Sequence, residues 1–218
     1  DGGTKTVDVK IQQVALVKRA AELDTIDRSV DITRNMLEKT SFYKEHKALL
    51  DMPRGGGFWI WKPALILQQL DGMEENDILV YLDSGDWISS SFRDFITRKM
   101  RGHNILLTEG SQPCSAYTKR DVFVAIGCDT DKYWHALQVE AGIIVCKKNA
   151  ATIHILKEWL RWCLTPGLVT DEPSRAENFP NFVDSRNYQS ILSVLRVFHQ
   201  IECTNEMRRY INCNQNNG

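Results

Sequence analysis

The chain has 218 residues, 43% hydrophobic and 25% charged, which suits one globular domain with a sizeable core and excludes disorder over its bulk. Its 27 basic and 28 acidic side chains leave a formal charge of -1, so no basic field draws it to nucleic acid or an anionic membrane, and a small-molecule substrate is expected. The six cysteines are scattered without a CxxC pair, and no stretch approaches the roughly 20 apolar residues of a membrane span, which reads as reduced thiols in a cytoplasmic protein.

Residues 9–23 carry apolar side chains at three- and four-residue spacing and predict a helix, followed by a short extended piece at 29–32 and a second helix over 33–52. Pro53-Arg54-Gly55-Gly56-Gly57 breaks that pattern before the aromatic run Phe58-Trp59-Ile60-Trp61. Pro63 suits a first helical turn, where its missing N–H is no loss, and a helix is expected over 63–70. Ile78-Leu79-Val80-Tyr81-Leu82 is a continuous apolar run and predicts a central strand buried on both faces. Further on, helices are expected over 91–100, 119–126, 151–163 and 187–198, strands over 104–108 and 141–146, and a long loop over 165–180. Strands alternating with helices predict a single α/β domain with a central, mostly parallel mixed sheet and helices on both faces.

The predicted strand 78–82 ends in Asp83-Ser84-Gly85-Asp86. Open α/β sheets place ligands beyond the carboxyl ends of their strands. Carboxylates there suit Mg²⁺ or Mn²⁺, which bind through one or two acidic side chains plus substrate phosphates. The same residues also make a solvated turn, since Asp, Ser and Gly favour turns. Asp129-Thr130-Asp131 is a second acidic pair, but it follows no apolar run and reads as a turn.

Taken in order, Trp59-Ile60-Trp61-Lys62-Pro63, the segment from Asp77 to Gly85, Lys119-Arg120-Asp121, Glu158-Trp159-Leu160 and Gln189-Ser190-Ile191 resemble a family of short GT-A-fold glycosyltransferases. That family includes bacterial surface-polysaccharide enzymes and chlorovirus-type algal-virus glycan enzymes. The resemblance covers roughly residues 54–195. It implies a GT-A-like domain that moves a hexose or deoxyhexose, glucose-like or rhamnose-like, from a UDP-sugar donor to a glycan or glycoprotein acceptor. It also implies a Mn²⁺ or Mg²⁺ cofactor held by an Asp-x-Asp-like motif, for which this chain has Asp-Ser-Gly-Asp.

On that resemblance Asp86 is the direct metal ligand, Asp83 holds ribose or a metal-bound water, and His199 supplies a third ligand. Lys62, at a helix amino end, is placed to reach the diphosphate. Trp61, Ser84, Lys119, Arg120, Asp121 and Arg186 are the other donor contacts, and Gln138, Glu140 and Gln189 form the polar wall where chemistry occurs. Tyr188 stands where many relatives carry an acid. Arg208 and Arg209 could close over the diphosphate. With no unambiguous general base in view, the reading leans towards retention. A monomer is compatible with this reading, and the alternatives are a metal-dependent phosphohydrolase or a non-catalytic carbohydrate- or metal-binding module.

Overall fold

The computed structural model describes residues 26–83 and 86–213; the predicted helix 9–23 lies outside them. The predicted helix 33–52 is three short ones, α1 (Arg34–Glu38), α2 (Ser41–Glu45) and α3 (Lys47–Leu50). Thr33 caps the start and Thr40 makes the first break, each hydroxyl accepting a backbone N–H three residues on, from Met36 and Tyr43. Helix α4 (Trp61–Asp71) follows, then β1 (Ile78–Leu82), β2 (Asp86–Ile88), α5 (Phe92–Lys99) and β3 (Ile105–Pro113). Next come α6 (Cys114–Tyr117), α7 (Arg120–Ile126), α8 (Asp131–Trp134), β4 (Leu137–Lys147) and α9 (Ala150–Cys163). Helix α10 (Tyr188–Phe198), β5 (Glu202–Cys203), a 3₁₀ turn at Asn205–Arg209 and β6 (Ile211–Cys213) complete the described chain.

The main sheet is mixed, with order β1-β4-β3-β5, and β2 pairs with β6 in a separate two-stranded sheet. The expectation of a mostly parallel sheet is corrected here, because among the described strands β1–β4 and β3–β4 are antiparallel and only β3–β5 is parallel. The expectation of a central β1 is corrected as well: among the described strands β1 is at an edge, and four of its five residues are only half-buried. Strand β4 is the true centre, and its run from Ile143 to Cys146 is fully buried.

Side chains on successive strand residues point to opposite faces, and each face carries its own core. Leu107, Ile144 and Cys146 pack with Leu50, Ile66, Leu70, Leu156, Trp159, Ile191 and Leu195 beneath α4, α9 and α10. Leu106, Ile143 and Val145 pack on the other face with Phe92, Phe95, Ile96 and Met100 of α5 and with Met207 and Ile211. Helices therefore cover both faces, as expected from the alternating pattern. Between Leu107↔Ile144 and Thr108↔Glu140 the β3–β4 register jumps, leaving Ala141, Gly142 and Ile143 in a bulge of β4. That bulge lies beside the end of β1, where the Asp83 N–H donates to the Gly142 carbonyl at 2.9 Å.

Candidate functional site

The residue after β1 is Asp83, and its carboxylate is held from two sides. Lys62 Nζ, from the first turn of α4, donates to Asp83 Oδ1 at 2.7 Å, and the Tyr81 hydroxyl donates to the same oxygen at 2.9 Å. Lys62 Nζ also donates to the Tyr188 hydroxyl at 2.7 Å, which joins the start of α10 to the cluster. The ammonium lies 5.8, 5.3 and 4.9 Å from the ring centres of Trp61, Tyr81 and Tyr188, an aromatic cage that stabilises a cation out of water. Lys62 is 3% exposed. Its side chain is thus an internal group facing Asp83 and Tyr188, whereas the sequence reading has it reach out to a diphosphate.

The backbone around this cluster is strained on both sides. Gly55, Gly56, Gly57, Phe58 and Trp59 have φ of 58, 56, 88, 54 and 58°, five successive left-handed residues that end one residue before α4. Such a conformation costs a residue with a side chain about 1–2 kcal/mol, so Phe58 and Trp59 adopt it only because packing over-determines it. Gly57 is obligatory there, since an added Cβ would lie 2.6 Å from Leu50 Cα. On the other side Asn187, with φ 52° and ψ -120°, turns the chain into α10 immediately before Tyr188. Asn187 is 1% exposed, and its side-chain amide donates to the Val169 carbonyl at 2.5 Å. Trp159 stacks on Tyr188 at 5.9 Å and donates from Nε1 to its carbonyl at 2.8 Å. Lys62 and Tyr188 are therefore fixed by their flanking turns as well as by each other.

Burial pulls the Lys62 ammonium below the ordinary lysine value, opposed by the charges of Asp83 and, further off, Asp86. Burial first, and then the Asp83 charge, pushes both the Tyr81 and the Tyr188 phenols up, so at neutral pH they keep their protons. Asp86 is 7% exposed, and its N–H donates to the Asp83 carbonyl at 3.1 Å. Two carboxylates and one buried cation thus share the end of β1, with a formal sum of one negative charge.

With Oδ1 taken by Lys62 and Tyr81, Asp83 retains Oδ2, which faces the Cα of Gly142; an added Cβ there would sit 2.8 Å from it. The oxygens this pair brings towards a divalent ion are Asp83 Oδ2 and those of the Asp86 carboxylate. Among the described residues no group of three or more His, Cys, Asp and Glu side chains could hold a metal. A hard cation bound mainly through phosphate and water oxygens, with one or two carboxylates from the protein, fits this pair; an all-protein cage does not.

Of the other expected site residues, Gln189 is brought near the bulge, its Oε1 3.5 Å from the Ala141 N–H. Glu140, directly before the bulge, is half-exposed and paired to Arg208 Nη2 at 2.5 Å, an arginine that also donates to the Glu109 carbonyl at 2.9 Å. Gln138 is not part of a pocket wall with Glu140. It is 3% exposed, its Nε2 donates to Thr118 Oγ1 at 2.8 Å, and its Oε1 lies 3.1 Å from Ser193 Oγ, which ties β4 to α10. Trp61 is half-buried and donates to the Gly55 carbonyl at 3.1 Å, so its indole braces the left-handed turn. Ser84 lies outside the described residues.

His199 is not brought to Asp83. It caps the far end of α10, roughly 16 Å along the axis from Tyr188 at 1.5 Å per residue, with its Nε2 2.7 Å from Glu158 Oε2. The Lys119-Arg120-Asp121 trio is also placed differently from expectation, because all three residues grip the long loop. Lys119, 4% exposed, donates to the carbonyls of Gly167 and Thr170 at 2.9 and 2.6 Å. Arg120 covers the Phe179 ring at 5.1 Å and pairs with Asp129 at 3.1 Å, and its backbone N–H donates to Asn178 Oδ1 at 2.9 Å. Asp121 accepts the N–H groups of Arg175 and Ala176 at 2.9 and 2.7 Å. Asp129 also accepts from Trp134 Nε1 at 2.8 Å, so the second acidic pair serves structure, as its sequence setting suggested. Arg186 is exposed and lies 4.6 Å from the Tyr117 ring centre.

Sequence reasoning gave no role to Tyr81 or Gly142, and it noted Tyr188 only as standing in place of an acid, not as a partner of Lys62. Tyr81 had a usable signal, since residues two apart on a strand share a face and Asp83 follows at that spacing. The Lys62–Tyr188 contact had none, its partners being 126 positions apart.

No protein-family model, curated protein or solved structure matches this chain.

Proposed function

We propose that the protein is a metal-dependent glycosyltransferase that moves a hexose or deoxyhexose from a UDP-sugar to a glycan hydroxyl. One observation carries this reading: two carboxylates, Asp83 and Asp86, stand at the carboxyl end of β1 beside the β4 bulge, with a buried ammonium clamped to the first. The strain at Phe58, Trp59 and Asn187, on the two segments that deliver Lys62 and Tyr188, supports it, since such strain concentrates where geometry must be held for function.

In this reading Asp83 Oδ2 and the Asp86 carboxylate hold Mn²⁺ or Mg²⁺ together with the donor diphosphate. The cation supplies neutralisation of the negative charge that builds on the departing diphosphate. The protein's own part is to keep Asp83 ionised and oriented, through Lys62 and Tyr81, before the donor arrives. Gln189, at the start of α10 beside the bulge, is the side chain we assign to the donor sugar. Glu140 is bound to Arg208, which suits a hydrogen-bonding wall for the acceptor better than a free base, and favours retention. The mixed sheet with helices on both faces is compatible with a GT-A-like domain.

Incubation with a panel of UDP-sugars and Mn²⁺, followed by chromatography of released UDP, tests the proposal. Metal-dependent UDP release from one donor, lost with EDTA and in Asp86→Ala, is the expected outcome. Absence of release from every donor, together with absence of metal-dependent UDP binding, would overturn it.

A further inference from the structure

We propose that Lys62 is a positioning residue of this site: it acts on the donor only through Asp83, whose Oδ1 it occupies so that Oδ2 alone is presented. This rests on the glycosyltransferase reading and deepens it. Three observations carry the inference. The Lys62 side chain is 3% exposed, with Trp61, Tyr81 and Tyr188 about its ammonium, so it offers almost no surface to a diphosphate oxygen. Of its three protons, two are directed at Asp83 Oδ1 and the Tyr188 hydroxyl, both at 2.7 Å. The Tyr81 hydroxyl meets the same Oδ1, so both lone-pair directions of that oxygen are engaged by protein, while Oδ2 lies over Gly142, where a side chain would collide with it.

The consequence is a division of labour. Asp83 can offer at most one oxygen to a cation, and its direction is set from α4 and α10 rather than by the ligand. A lysine that bound diphosphate directly would instead add its own electrostatic attraction, independent of Asp83. The two roles differ in how the Lys62 and Asp83 substitutions combine.

The test uses the full chain and four proteins: wild type, Lys62→Met, Asp83→Asn and the double variant. UDP affinity is measured by calorimetry with Mn²⁺ and by saturation-transfer NMR with EDTA. The expected result is that each single variant loses about tenfold or more of the Mn²⁺-dependent affinity, that the double variant is no worse than the weaker single one, and that Lys62→Met leaves metal-free UDP affinity unchanged. Losses that multiply in the double variant, or weaker metal-free binding in Lys62→Met, would overturn the assignment. Should Lys62→Met fail to fold, Tyr81→Phe keeps Lys62 and removes one of the two bonds to Oδ1; a loss of about threefold confined to the Mn²⁺-dependent affinity is expected, and an unchanged affinity contradicts the proposal. If wild type shows no metal-dependent UDP binding, the glycosyltransferase reading fails. The Lys62–Asp83 unit is then read from urea denaturation of the same four proteins, where strictly additive midpoint shifts would overturn it.

Discussion

Replacing Gly142 with alanine perturbs the site at one atom. The new Cβ would lie 2.8 Å from Asp83 Oδ2, 3.2 Å from its Cγ and 3.7 Å from its Cβ. A carboxylate at the end of a free side chain would swing away at little cost, but this one is tied through Oδ1 to Lys62 and Tyr81, and its backbone N–H is bonded to the Gly142 carbonyl. Two outcomes are open to the variant. Either β4 shifts and the overpacking costs about 1–3 kcal/mol, or Asp83 leaves and the buried ammonium keeps only Tyr188. Because the Asp83 side chain is 48% exposed, solvent screens much of the lost charge pairing, and about 1–2 kcal/mol is a reasonable cost for the second route. Both routes predict a loss of about 1–3 kcal/mol, which for a chain of this length lowers Tm by roughly 2–12 °C. Differential scanning calorimetry and urea denaturation measure it. The decisive comparison is the same substitution in an Asp83→Ala background, where the collision is gone and the cost should fall below about 0.5 kcal/mol. An undiminished cost in that background would refute the contact as the cause.

Three further outcomes follow from the geometry. Asp121→Ala frees the N–H groups of Arg175 and Ala176, so tryptic cleavage after the exposed Arg175 should accelerate several-fold in the native protein; an unchanged cleavage rate would contradict the loop-clamp role of the Lys119-Arg120-Asp121 trio. Burial pushes the Cys114, Cys128 and Cys146 thiols up to about 12, so at pH near 8 they should react with a disulfide reagent only as fast as the protein opens, while the half-buried Cys203 reacts sooner; site-resolved mass spectrometry showing Cys146 labelled at a free-thiol rate would refute this. Lys47 first, and then Tyr43, hold the exposed Asp51 at about 2, below its ordinary 3.8. A depressed carboxylate contributes stability above its unfolded value and loses it as pH falls through the folded one, so the stability gap between wild type and Asp51→Asn should shrink between about pH 4 and pH 2. A gap that stays constant across that window in urea titrations would show that Asp51 is not held this way.

Helices with a full apolar stripe were legible in the sequence almost to the residue. The spans expected at 91–100, 151–163 and 187–198 appear as Phe92–Lys99, Ala150–Cys163 and Tyr188–Phe198. The sheet was less legible because strand burial reports composition, not neighbours: Ile78–Leu82 is as apolar as a central strand and still lies at an edge of the described sheet. β3 continues past the predicted end at Thr108 to Pro113 through Glu109-Gly110-Ser111-Gln112, polar residues that carry no strand pattern because this half of the strand is bulged and partly exposed. β2, β5 and β6 are two or three residues long and leave no period to detect. At the site, Asp83, Asp86 and Lys62 were identified from the sequence, yet the direction of Lys62 was not, since its burial depends on Tyr188 arriving from another element. The Lys-Arg-Asp trio was singled out for chemistry and grips the 165–180 loop, a partner that lies about 50 residues away and is invisible to local pattern. His199 met its partner Glu158 in the same way, across the packing of α10 on α9.

Calorimetric titration of UDP into the protein with and without Mn²⁺, repeated on Asp86→Ala, tests the central claim most directly. Saturable binding that requires Mn²⁺ and disappears in Asp86→Ala is the predicted result; a wild-type protein that fails to bind UDP in the presence of Mn²⁺, or an Asp86→Ala variant that binds it with unchanged affinity, would contradict it.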